Sequence, residues 1–147
     1  MLATNHALSG ALIASVLPLP VAIPVAFASH FLLDALPHYG ITKKFRNKSR
    51  LYRLLVTSDI VIALVGSIGL AVLHKWHMEA GAYAAWAPDL LWVIYYFTHH
   101  KTLQIKPTNK FMKFHLAIQW CERPWGIYVE LAFFGALLPI YLYQISH

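Results

Sequence analysis

Long apolar runs separated by short blocks of positive charge leave this chain few ways to fold. Residues 7–36 carry no formal charge before Asp34, and the run from Leu54 to Leu73 carries only Asp59. About 20 apolar residues are what a helix needs to cross the ~30 Å hydrocarbon core of a bilayer. In that core every backbone N–H and C=O must be satisfied inside the protein, which selects helices. Composition agrees: 59% of the 147 residues are hydrophobic and 12% are charged, against roughly 25% charged in ordinary soluble domains. The expectation is an all-α, polytopic membrane helical bundle in which residues 1–147 form a single integral membrane domain.

The formal net charge of +6 admits two readings, nucleic acid or anionic lipid. The basic residues flank apolar spans instead of forming a soluble face, so membrane lipids are the expected partners and nucleic acid is not. A lone cysteine, Cys121, excludes an internal disulfide. Residues 7–17 are apolar but lack a preceding Lys or Arg, so they read as part of the fold and not as a signal peptide. Oligomeric state is not legible.

Within 7–36, Pro18, Pro20 and Pro24 interrupt the apolar run. Each removes a donor and restricts its predecessor, so two short helices are expected, 7–17 and 22–36. The first would be about 16 Å long, too short to span; a broken or re-entrant N-terminal hairpin follows. Three further spans are expected at 54–73, 83–98 and 126–144, with an interfacial helix at 110–121. Charge bias orients them. Lys43, Lys44, Arg46, Lys48, Arg50 and Arg53 precede the first full span, and Lys101, Lys106, Lys110, Lys113 and Arg123 precede the last. Only Lys75 lies in the intervening loop. The basic loops are therefore placed on the cytoplasmic side of a bacterial or archaeal plasma (inner) membrane.

Polar residues inside apolar spans are costly, about 2.5–3.5 kcal/mol for a carboxylate at the bilayer centre, and therefore need partners or a function. His30, Asp34 and His38 are spaced i, i+4, i+8 and share a face if the segment is helical. Imidazole and carboxylate donors suit a divalent metal: zinc first, manganese or iron next. His30, Asp34 and His38 are the first ligand candidates, with His6 and Asp59 next. Glu130 or Glu122 is placed as a further ligand or as the general base. His115, Gln119 and Arg123 are placed as headgroup binders, the first two sharing a helical face with Glu122. Counting 1.5 Å per residue from the basic loops puts Asp34, Asp59 and Glu130 at about one level and Asp89 nearer the opposite side. His99 and His100 are adjacent and read as interfacial; His74, His77 and His147 read as loop or terminal residues.

His6-Ala-Leu-Ser-Gly10 and Ser29-His30-x3-Asp34 after an apolar run resemble the bacterial family of membrane-bound metal-dependent hydrolases, related in pattern to zinc-dependent phospholipase C proteins. The resemblance covers about the first 40 residues; the family's Pro-Asp-x-Asp and His-Arg-Gly-x-Thr-His-Ser segments do not occur. It implies a metal-assisted hydrolase of a lipid or lipid-phosphate, with His6, His30 and Asp34 as the positions carried over. Two other readings stand beside it. The buried acids and histidines can line a proton or ion path, or they can hold helices together in a non-catalytic structural or interaction protein.

Overall fold

Pro18 and Pro20 build a hairpin, whereas Pro24, expected to interrupt the run, lies inside its second helix. In the computed structural model, which describes residues 1–41, 49–98 and 109–147, α1 (Ala3–Val16) ends just before Pro18, and α2 (Leu19–Ala35) begins just after it. Pro18 occupies the N-cap and Pro20 the first turn, where a missing N–H costs nothing. The two helices pack on each other. Their 14 and 17 residues give lengths of about 21 and 25 Å, both short of the ~30 Å core.

Three longer elements follow α2: α3 (Arg50–Val72), α4 (Trp76–Thr98) and, after an amphipathic helix, α6 (Gly126–Ser146). That amphipathic helix, α5 (Lys110–Ile118), runs into a single 3-10 turn, Gln119–Cys121. Among the described residues two helices are long and apolar enough to cross a membrane, Arg50–Val72 and Gly126–Ser146. This corrects the expectation of three full spans. The 76–98 helix has the length, but Trp76, His77, Glu79, Pro88 and Asp89 lower its hydropathy. It serves as the hub on which α1 and α2 pack. Few of the residues of these two helices are buried. Val65, Ile68 and Val72 on α3 are each more than 60% exposed.

Close approach of α1 to α4 rests on two glycines. A Cβ at Gly10 would collide with the Gly81 carbonyl, and one at Gly81 with the Gly10 carbonyl. Ala14 and Ala85 flank this contact, the small-residue packing that membrane helices use in place of a hydrophobic driving force. At the far end, His74 adopts φ 56° and closes α3. Lys75 N–H reaches the Leu70 carbonyl and His74 N–H the Ala71 carbonyl, a Schellman ending. Lys75 Nζ then donates to the Gln144 carbonyl at 3.2 Å, so the 73–75 turn and the end of α6 share one end of the bundle.

The other end holds the chemistry, and there the helices are not flush. Asp59, nine residues into α3, accepts from the N–H groups of Ala3 (2.7 Å) and Thr4 (3.0 Å). The start of α1 is thus recessed about 13 Å below the start of α3. Glu130 Oε1 accepts from Leu2 N–H at 3.0 Å and Tyr39 N–H at 3.3 Å. Glu130 Oε2 accepts from the Asn5 amide at 2.6 Å. Two buried carboxylates thus satisfy the orphan N–H groups and the positive dipole end of α1.

A further correction concerns the end of α2. Pro37 biases Leu36 to extended backbone, and Leu36 has φ −76° and ψ 159°. The helix stops at Ala35, so His38 is not on the His30–Asp34 face. His38–Tyr39 (β1) instead pairs in parallel with Glu122–Arg123 (β2). Lys43, Lys44, Arg46, Lys48, His99, His100, Lys101 and Lys106 lie outside the described residues.

Candidate metal centre

Four side chains from three helices converge at the recessed end of the hairpin. His30 and Asp34, one turn apart on α2, place Nε2 and Oδ2 3.3 Å from each other. The α5 helix delivers His115, whose Nε2 lies 2.9 Å from Asp34 Oδ2 and 2.9 Å from His30 Nε2. From α4 comes Asp89, with Oδ1 3.9 Å from His30 Nε2. One donor atom from each of the four lies within 4.8 Å of the others. His30, Asp34 and His115 have no solvent exposure.

These spacings match the demands of a small divalent cation. Tetrahedral zinc with ligands at 2.0–2.2 Å separates neighbouring donors by about 3.3–3.6 Å; here His30 Nε2 stands 2.9 Å from His115 and 3.9 Å from Asp89, and all four donors lie within 4.8 Å of one another. His30 has the posture of a ligand: its Nδ1–H donates to the Ala85 carbonyl at 2.9 Å. That bond fixes the tautomer and leaves the Nε2 lone pair facing the cluster. The cluster can hold a metal ion, and its two nitrogen and two carboxylate donors suit zinc, manganese or iron.

Asp34 is the hub. Its Oδ2 also accepts from the Gln119 amide at 3.0 Å. Its Oδ1 meets His6 Nε2 at 3.1 Å and takes a bond from the Met1 amino group. His6 stacks on the His30 ring, with centroids 4.0 Å apart. His6 is fully buried, and its Nδ1, like that of His115, has no hydrogen-bond partner among the described residues. Asp89 differs from the other three: its side chain retains 19% exposure. It pairs with His30, and donor atoms of Asp34 and His115 lie within 4.8 Å.

Of the five ligand candidates read from the sequence, His30 and Asp34 stand in the cluster and His6 adjoins it. Asp59 is engaged with the start of α1, and His38 Nδ1 lies 2.8 Å from the Leu36 carbonyl. Glu130 is occupied by Leu2, Tyr39 and Asn5. Glu122 lies in β2 beside Gly40, and the exposed Arg123 donates to the Glu122 carbonyl at 2.9 Å. His115 and Gln119, read as headgroup binders, both reach Asp34.

Asp89 was displaced by the depth count because α4 continues nine residues beyond it, about 13 Å, past the end of α2. Depth measured from helix ends fails when helices are not flush. The i, i+4 pair on α2 was visible in one helix; its partners on α4 and α5 carry no such spacing signal. An apolar cavity of about 130 Å3, lined by Thr4, Leu8, Ala63, Leu70, Phe134 and Leu138, lies on the face of α1 opposite His6 by helical geometry and offers no donor set.

Comparison with protein-family models, curated proteins and solved structures finds no match.

Proposed function

We propose that this protein is an integral membrane, metal-dependent hydrolase acting on a lipid or lipid-phosphate ester at the cytoplasmic face of a bacterial or archaeal plasma membrane. The observation that carries it is the convergence of His30, His115 and Asp34, with the less buried carboxylate of Asp89 alongside. His30 Nε2, His115 Nε2 and Asp34 Oδ2 hold the metal, with zinc the best fit to the donor set. Three protein ligands are the usual complement of a catalytic site, four of a closed structural one. A divalent ion there supplies Lewis-acid polarisation of an ester oxygen and acidifies water.

The rest of the work falls to the chain. Asp89, without a hydrogen bond among the described residues, takes the proton from the attacking water and returns it to the leaving alkoxide. The Gln119 amide and His6 fix the two oxygens of Asp34 and hold its plane. The Ala85 carbonyl holds His30. Glu130 and Glu122, the bases read from the sequence, are not used; Glu130 is already engaged by its own donors. The recess of the site below the ends of α3 and α4 favours a substrate that arrives from the bilayer.

The test is metal content and lipid-ester hydrolysis measured on the same preparations. Wild type carries about one divalent ion per chain and turns over a phospholipid or lipid-phosphate; Asp89→Asn keeps the ion and loses turnover. Stoichiometric metal with no turnover of any lipid ester would refute the hydrolase and leave a metal-binding structural protein.

One observation favours a second reading, a proton-relay module. The 2.9 Å separation of His30 Nε2 and His115 Nε2 is that of one shared proton. Such a proton on His115 Nε2 can also reach Asp34 Oδ2. Metal-free wild-type protein with proton flux through liposomes that stops in Asp34→Asn would select this reading.

A further inference from the structure

His115 is the one member of the cluster that does not come from the hairpin or the hub helix. It arrives on α5, a nine-residue helix that buries Met112 and His115 and leaves Lys110 and Lys113 in solvent. Aromatic contacts dock that helix on the bundle: Phe31 meets Phe111 at 5.9 Å and Phe114 at 5.5 Å, and Trp92 meets His115 at 4.9 Å. On the inner side, His115 and the following Gln119 both bond to Asp34 of the cluster. The outer surface of residues 110–125 is of another kind. Lys110, Lys113 and Arg123 are exposed, and among them stand Phe114 (53% exposed), Trp120 (67%) and Trp125 (51%). Glu122, half-buried, is the one acid of the segment.

Cations interleaved with exposed aromatics on a short amphipathic segment fit the headgroup layer of an anionic membrane. Lys and Arg gain from the negative surface potential, and the aromatic rings sit at the acyl boundary. Position supports the same occupant. The segment leads directly into α6, a membrane-length helix that begins at Gly126, and it lies at the end of the bundle where Arg50 opens α3.

We infer that residues 110–125 dock on anionic phospholipid, and that this docking and metal binding at the cluster are coupled through His115. The inference rests on the metal reading of the cluster. One rigid helix carries both the lipid-facing cations and a metal ligand. Seating α5 on a negative surface favours the position in which His115 completes the donor set, and a bound metal favours that same position. The coupling is reciprocal by thermodynamic linkage.

The experiment uses the full chain reconstituted in vesicles of phosphatidylcholine alone or with about one third phosphatidylglycerol. Cobalt(II) is titrated in each, and its ligand-field absorption is followed. Wild type binds cobalt about fivefold or more tightly in the anionic vesicles, the lower end of ordinary coupling. In the K110Q/K113Q/R123Q variant the two vesicles give one curve, with cobalt stoichiometry preserved. The wild-type difference also collapses when salt is raised from about 0.05 to 0.5 M, because the Debye length shrinks several-fold. Salt also removes simple accumulation of cobalt at the surface, so the single variant R123Q, with a smaller difference than wild type, keeps the comparison if the triple variant folds poorly. Equal affinity for wild type in both vesicles overturns the coupling and leaves the metal site standing. An equal gain in wild type and variant identifies mere accumulation of cobalt at a charged surface and also overturns it. Absence of cobalt absorption in either vesicle removes the metal reading itself, and the coupling with it.

Discussion

Asp34 meets five groups in this fold, from Met1, His6, His30, His115 and Gln119. The side chains around it divide by what their loss should cost. Removing a metal donor (His30→Ala or His115→Ala) should abolish stoichiometric metal. Removing the base should not. Asp89→Asn keeps the shape and the neutral hydrogen-bonding capacity, so metal content stays near wild type while lipid-ester turnover falls about 10²–10⁴-fold, the usual worth of a placed general base. A third group of carboxylates is structural. Asp59 and Glu130 close the N–H groups at the start of α1, so Asp59→Ala should lower stability by about 1–3 kcal/mol. Thermal unfolding in detergent should show that loss with metal stoichiometry unchanged in the folded fraction. The sequence marked Asp59 and Glu130 as buried acids in need of partners, but not which partners. A helix N-terminus is a partner made of backbone, and no residue type announces it. His30 and Asp34 were legible because one helical turn joins them. His38 was misplaced because Pro37 ends the helix between them, a signal present in the sequence and outweighed by the i+8 spacing.

At the scale of elements, the hairpin was readable from Pro18 and Pro20, two residues apart, which favour a helix start or a turn, although Pro24, Pro88 and Pro139 sit inside helices. The hub was not. The 76–98 helix has aromatic and polar residues that lower its hydropathy, and its importance comes from α1 and α2 packing on it. Gly10 and Gly81 fix that packing from opposite sides. A side chain at either position forces the helices apart and pulls the Ala85 carbonyl from His30 Nδ1. Gly10→Leu or Gly81→Leu should therefore destabilise the protein by about 3 kcal/mol or more and weaken metal binding together with stability. Asp59→Ala, in contrast, should move stability alone. A cobalt titration beside an unfolding curve separates the two. Short strands β1 and β2 had no pattern to reveal them, because two residues are too few for an alternation to register.

For the whole molecule, topology follows from where the polar groups gather. The α1 N-terminus, the α2 C-terminus, the α3 and α6 N-termini and α5 share one end; the 73–75 turn and the α6 C-terminus share the other. Arg50, Arg53, Lys110, Lys113 and Arg123 lie toward the first end and Lys75 at the second, the asymmetry expected of a protein oriented by its cationic loops. In a C121S background, Arg123→Cys should react with an impermeant thiol reagent from the cytoplasmic side of sealed vesicles. Lys75→Cys should react only from the opposite side. Labelling of both from one side would place the helices on a surface instead of across a membrane.

The central claim, a metal held jointly by α2 and α5, is tested most directly by elemental analysis of the detergent-purified protein beside its H115A variant. Wild type should carry about one equivalent of zinc, manganese or iron per chain, and the variant, still folded by circular dichroism, close to none. A wild type without metal after purification in metal-replete buffer, or an H115A variant that retains the wild-type equivalent, would contradict it.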